Sequence, residues 1–82
     1  MTHDEARQMI VSVLGRVAPE IDPNGIDPDE ELGADLDLDS MDFLNLVEGV
    51  AAAAHIDIPE RDYPELLTLG SFTAYVERTA PT

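Results

Sequence analysis

Apolar residues near the start of the chain recur with helical spacing. Ala6, Met9, Ile10, Val13, Leu14 and Val17 fall at i, i+3, i+4, i+7, i+8 and i+11, one stripe that predicts an amphipathic helix. Thr2 followed three residues later by Glu5 predicts a capping box, and Asp4 and Glu5 suit the positive end of the helix dipole. Pro19 bounds the segment. Gly15 weakens its last turns by up to about 1 kcal/mol relative to alanine.

From Pro19 to Asp39 the periodicity breaks. Pro23, Asn24-Gly25 and Pro28 are turn signals, and Ile21-Asp22-Pro23 and Ile26-Asp27-Pro28 are too short to count as a repeat. A loop this long in a small domain is uncommon and usually functional. Ile21, Ile26, Leu32, Leu36 and Leu38 are expected to pin it to the core. A second helix runs from Ser40 to about Ala54, with Asp39 as N-cap and Asp42 completing a pair that resembles a capping box. Its buried face is read as Leu44, Val47, Val50, Ala51 and Ala54, with Met41 beside them. Ile58-Pro59 requires that helix to have ended. Tyr63 to Leu67 predicts one short turn of helix introduced by Pro64, and Phe72, Tyr75 and Val76 predict a last helix from Ser71 to about Thr79. No alternating strand exceeds a few residues. The expectation is an all-α fold: a small bundle of three main helices plus one short helix, with a long acidic first loop.

Composition narrows the function. Eighty-two residues make one small domain, able to bury roughly 60–65% of its surface. A hydrophobic content of 44% is globular. Eighteen acids against four arginines and no lysine leave a net charge of −14, and ten of the acids lie between Glu20 and Asp42. Such a field repels nucleic acid and anionic membranes and attracts basic docking faces. The absence of cysteine removes disulfides, thiolate metal sites and cysteine nucleophiles. The longest apolar run, Val50 to Ala54, is far too short to span a bilayer. No secretory signal is visible in Met1-Thr2-His3-Asp4-Glu5, so a cytoplasmic protein is expected.

Chemistry of the chain's own side chains finds little support. Asp35, Asp37 and Asp39 copy the first positions of a calcium loop, but Ser40 stands at the turn glycine and Leu46 where a bidentate Glu is needed. Asp27, Asp29 and Glu31 fail likewise at Leu32 and Leu38. No dedicated metal site is expected, only loose screening by divalent ions. His3 lies at what reads as a disordered start, and His55 at a helix end either caps the last carbonyls or meets solvent. A non-catalytic protein is the better reading. Ser40 remains: Asp39-Ser40 could be a mere capping pair, but its hydroxyl sits at a helix start, after an acidic loop, where free N–H groups favour an attached anion.

The run Leu36-Asp37-Leu38-Asp39-Ser40-Met41-Asp42, then Phe43-Leu44-Asn45-Leu46-Val47 and later Ile56-Asp57-Ile58-Pro59, with Ile58 eighteen residues after Ser40, resembles the acyl carrier protein family. The likeness covers essentially the whole chain and implies a single acyl carrier domain over residues 1–82. It implies that Ser40 accepts 4′-phosphopantetheine from coenzyme A through a phosphopantetheinyl transferase, with Asp39, Met41 and Asp42 flanking it. The arm's thiol would carry acyl groups as thioesters. Asp35, Asp37, Asp42 and Glu48 would meet basic patches of acyl-loading and acyl-processing enzymes. Leu46, Val47, Val50, Ile58, Tyr63, Leu66 and Phe72 would line an acyl cavity, or would be ordinary core in a short-chain or peptidyl carrier. A monomer is expected, with no nucleic-acid partner and no membrane insertion.

Departures from the family bear on the pathway. Asn45 stands where Glu is usual, Ala51, Ala52 and Ala53 replace an acidic helix end, and Ala54 replaces a frequent Phe. Tyr63 and Phe72 stand where small residues are common, and Asp37 replaces a frequent Gly. These differences suggest a carrier dedicated to a specialised pathway, not necessarily the main fatty-acid one, with partners in fatty-acid-type, lipid or specialised secondary metabolism. An aminoacyl, peptidyl, alanyl or polyketide carrier stays open, although the Gly-Gly-His/Asp-Ser pattern common in peptidyl carriers is lacking. So does an unmodified acidic helical interaction module.

Overall fold

A computed structural model describes residues 1–22 and 25–80 of the chain. The turn expected at Pro23-Asn24 lies outside the described residues, apart from Gly25. Helix α1 spans His3–Val17, α2 spans Ser40–Ala54, a 3₁₀ helix spans Glu60–Leu66, and α3 spans Leu69–Thr79. Among the described residues there is no strand, only an isolated bridge between Glu31 and Thr68. The all-α expectation holds.

The helix ends follow from local chemistry. Thr2 and Glu5 form the reciprocal capping box that starts α1, which makes His3 its first residue rather than part of a disordered start. The Thr2 hydrogen bonds also hold the Glu5 carboxyl below its ordinary value. α2 ends where His55 turns left-handed, at φ 57, and its backbone N–H reaches the carbonyls of Ala51 and Ala52. The 3₁₀ helix begins three residues before the expected Tyr63, directly after Pro59, and contains Pro64. α3 begins two residues before the expected Ser71. A second capping box, between Thr68 and Ser71, sets that start with Ser in the place usually taken by Glu or Gln.

The core joins all four helices and the first loop. Ile10, Leu14, Leu32, Leu46, Val50, Leu66, Leu69, Phe72 and Val76 are essentially without solvent contact. α1 packs on both α2 and α3. At the α1–α2 crossing a Cβ on Gly49 would stand 2.6 Å from Val13 Cγ1, so the approach requires glycine there. Ile26, Leu32 and Leu38 of the loop are buried and Ile21 and Leu36 half-buried, as expected of pinning residues. The loop is also tied by backbone to α3, where the Gly70 N–H donates to the Pro28 carbonyl at 2.9 Å, and to the end of the 3₁₀ helix, where the Leu32 N–H donates to the Leu67 carbonyl at 2.8 Å. Several loop carboxylates cap neighbouring backbone. Asp27 accepts from the Asp29 N–H at 2.9 Å, and Asp35 from the Glu31 N–H at 2.7 Å.

The expected buried face of α2 needs correction. Leu46 takes its place at the centre, with Val47, Val50 and Ala54. Met41 is 66% exposed and Leu44 37%. The segment is apolar nearly all round, so its own spacing leaves the choice of face to the packing of α1.

One polar contact in the core titrates. The hydroxyl of buried Tyr75 donates to Asp62 Oδ2 at 2.7 Å in a part-buried setting. Burial first, then the Asp62 hydrogen bond and charge and the Glu65 charge, push its phenol from 10.0 up to about 12, against the opposing Arg78. The fold therefore holds this proton more tightly than the unfolded chain does. The stability it contributes is complete below pH 10 and is lost as the pH rises through about 12. Tyr75→Phe is expected to cost about 1 kcal/mol at neutral pH. The gap between wild type and variant should close across that alkaline window in urea titrations; a constant gap would contradict the assignment.

Candidate functional site

α2 begins at Ser40 because Asp39, in extended backbone, caps it: the Asp39 carboxylate accepts from the Asp42 N–H at 2.8 Å. The reciprocal half of the expected capping box is absent among the described contacts, since Asp42 is one methylene shorter than the Glu that usually reaches back. Ser40 is exposed, and its hydroxyl has no hydrogen-bond partner among the described residues. The N–H groups of Ser40 and Met41 belong to the first helical turn and have no intrahelical acceptor. Of the other serines, Ser71 is engaged in the Thr68 cap, and Ser12 stands in the middle of α1.

Just before the cap, Asp37 adopts φ 58, the left-handed region that glycine occupies without penalty. This explains why a glycine would suit the position. Asp37→Gly is expected to stabilise the fold by about 0.5–1 kcal/mol, through relief of that conformation and removal of one negative charge. Thermal melts check it, and an unchanged or lower midpoint would count against it.

Beside Ser40 a cavity of about 420 Å³ opens between the first turns of α2 and the 3₁₀ helix, lined by Ser40, Phe43, Leu44, Glu60 and Tyr63. The Phe43 and Tyr63 rings meet edge to face with centroids 6.0 Å apart. A larger concavity of about 660 Å³ between α1 and α2 is lined by residues such as Val17, Asn45 and Ala53 and does not include Ser40.

The structure gathers some of the expected site residues and separates others. Asp39, Met41 and Asp42 flank Ser40, and Asp35 and Asp37 lie exposed at the end of the loop. Met41, Leu44, Asn45 and Glu48, at i, i+3, i+4 and i+7, form one exposed stripe running from the serine. Leu46, Val47, Val50, Ile58, Leu66 and Phe72 are buried in the packed core, and of the seven cavity candidates only half-buried Tyr63 lines the space beside Ser40. Phe43, Leu44 and Glu60 are lining residues that sequence reasoning missed. Phe43, one turn after Ser40, carried a usable signal; Glu60, twenty residues away, carried none.

Charge around the site is largely uncompensated. The ion pairs among the described residues are Arg78 with Glu65 at 2.8 Å and His3 with Glu77 at 3.0 Å, both exposed and the second charged only when His3 is protonated. At a net charge of −14, self-repulsion opposes the compact state. Moderate salt or millimolar Mg²⁺ is therefore expected to raise the melting temperature by about 5 °C or more, equivalent to roughly 1 kcal/mol. Melts unaffected by both would contradict this.

These features suit a phosphodiester on Ser40. An accessible hydroxyl and two N–H groups without an intrahelical acceptor stand at a helix N-terminus, beside a groove walled mostly by Phe43, Leu44 and Tyr63. The nearby Asp37, Asp39 and Asp42 oppose a second anion, an effect that screening reduces.

A family model described as the phosphopantetheine attachment site matches residues 4–76. The chain is 28% identical over 76 residues to the acyl carrier protein of Bdellovibrio bacteriovorus, covering 93% of this chain and 91% of that protein. It is 26% identical over 81 residues to the acyl carrier protein of Rhodococcus erythropolis, covering 95% and 87%. It is 27% identical over 74 residues to the putative mitochondrial acyl carrier protein of Schizosaccharomyces pombe, covering 90% of this chain and 66% of that protein.

Proposed function

Since the chain belongs to the phosphopantetheine attachment-site family, with the covalent 4′-phosphopantetheine group and acyl-carrier function of that family, we propose that Ser40 is its attachment residue and that it serves a specialised pathway. The observation that carries the assignment is the unbonded, exposed Ser40 hydroxyl at the start of α2 beside its cavity. In the loading step the Ser40 oxygen forms a bond to phosphorus and gives up its proton to the transferase, and the nucleotide half of coenzyme A departs. The bound arm supplies the thiol that this cysteine-free chain lacks. No catalytic step is assigned to the chain's own side chains.

Asp35, Asp37, Asp42 and Glu48 face basic docking patches of the transferase and of acyl-loading and acyl-processing enzymes. Such charges steer encounter and set orientation, so loading slows as salt rises. The exposed Ala52 and Ala53 at the end of α2 offer those enzymes little charge, which favours dedicated partners over the general fatty-acid machinery. No described helix is long and apolar enough to cross a membrane. The same net charge disfavours self-association and nucleic acid, and we read the chain as a cytoplasmic monomer.

Cleavage after arginine tests the attachment residue. It places Ser12, Ser40 and Ser71 on three different fragments, 8–16, 17–61 and 62–78. After incubation with coenzyme A and a promiscuous transferase, the added group is expected on fragment 17–61 alone. Its appearance on either other serine fragment would overturn the assignment.

A further inference from the structure

The 3₁₀ helix supplies one wall of the Ser40 cavity through Glu60 and Tyr63, yet its backbone packs on α3 rather than to a comparable degree on α2. Two side-chain ties hold it there. The Tyr75 hydroxyl donates to Asp62 Oδ2 at 2.7 Å in a part-buried setting, and Arg78 Nη2 donates to Glu65 Oε1 at 2.8 Å at the surface. The Arg78 guanidinium also sits 5.3 Å from the centre of the Tyr75 ring. The exposed pair contributes little, so the Tyr75–Asp62 bond is the stronger of the two side-chain ties, and it adds to the burial of Leu66 in the core. Asp62 and Tyr63 are adjacent, and in a 3₁₀ helix consecutive side chains point about 120° apart. Fixing Asp62 against α3 therefore fixes Tyr63 against Phe43, 6.0 Å away across the cavity.

Behind that wall there is no open path inward. Leu46, Val50, Leu66 and Phe72 have no solvent contact. An alkyl chain entering from Ser40 must displace the 3₁₀ helix, and the Tyr75–Asp62 bond resists that movement. We infer that Tyr75 and Asp62 form a latch that limits the cavity beside Ser40 to a compact acyl group, leaving the tail of a longer chain in solvent. This inference rests on Ser40 carrying the arm. Tyr75 and Asp62 are positioning residues in it, acting through Tyr63.

The test loads butyryl, hexanoyl, octanoyl and decanoyl arms from the corresponding acyl coenzyme A onto wild type, Tyr75→Phe and Asp62→Asn. Intact mass verifies loading, and hydroxylamine then cleaves the thioesters. Each methylene taken out of water is equivalent to about a fourfold change in rate, so cleavage reports depth of burial. In the wild type the rate is expected to vary less than about twofold from butyryl to decanoyl. In both variants decanoyl is expected to be cleaved at least about tenfold more slowly than butyryl, because a few methylenes suffice for that factor. A steep length dependence in the wild type, or a flat one in the variants, would overturn the latch. Amide exchange decides it independently of loading. Residues 60–66 should exchange faster in the variants while α1 is unchanged, and equal exchange of 60–66 would contradict it. Failure to load any arm would overturn the Ser40 assignment instead, with amide exchange still deciding the latch.

Discussion

Phe72→Ala is expected to destabilise the protein by about 3–5 kcal/mol, the largest effect of any single core truncation here. Phe72 is completely buried on α3, in the cluster that holds Leu46, Val50 and Leu66. Removing the ring forfeits its transfer free energy and leaves a cavity that neighbours fill only in part. A chain of this length has a total stability of roughly 4–12 kcal/mol, and self-repulsion favours the lower end. The variant should therefore be partly unfolded at low ionic strength and recover as salt is added. Urea unfolding followed by circular dichroism measures both effects. A loss below about 1 kcal/mol would mean that the ring is not packed as described.

The same residue bears on the carrier function. The buried Ala54 of α2 and Phe72 of α3 share one core, which is consistent with the large ring making up volume that Ala54 does not fill. A core filled in this way leaves the Ser40 cavity, bounded by Phe43, Leu44, Glu60 and Tyr63, as the space next to the proposed attachment residue.

What the sequence discloses depends on how local the cause is. The start of α1 was legible because Thr2 and Glu5 are three residues apart and the apolar stripe follows at once. The start of α2 was legible from Asp39, and Ser40 with it. The start of α3 was misplaced because Thr68 and Ser71 form a capping box without the usual acidic partner. In α2 the apolar residues go nearly all round, so nothing within the helix separates buried Leu46 from exposed Met41 and Leu44. The cavity wall was least legible. It brings Phe43 and Leu44 against Glu60 and Tyr63, and its fastening joins Asp62 to Tyr75, thirteen residues on. Such pairings exist only once the helices have packed.

Loading at Ser40 is the second large effect, and it concerns the central claim. Of the described serines only Ser40 combines a helix start, exposure and an unbonded hydroxyl. Alanine there removes the accepting oxygen and leaves the Asp39 cap intact, so the fold should be retained, with a stability change within about 0.5 kcal/mol. The measurement to make is the intact mass of wild type and Ser40→Ala after incubation with coenzyme A and a promiscuous phosphopantetheinyl transferase. One added phosphopantetheine on the wild type and none on the folded variant is the predicted result. Modification of Ser40→Ala, or none of the wild type beside a working carrier control, would contradict it.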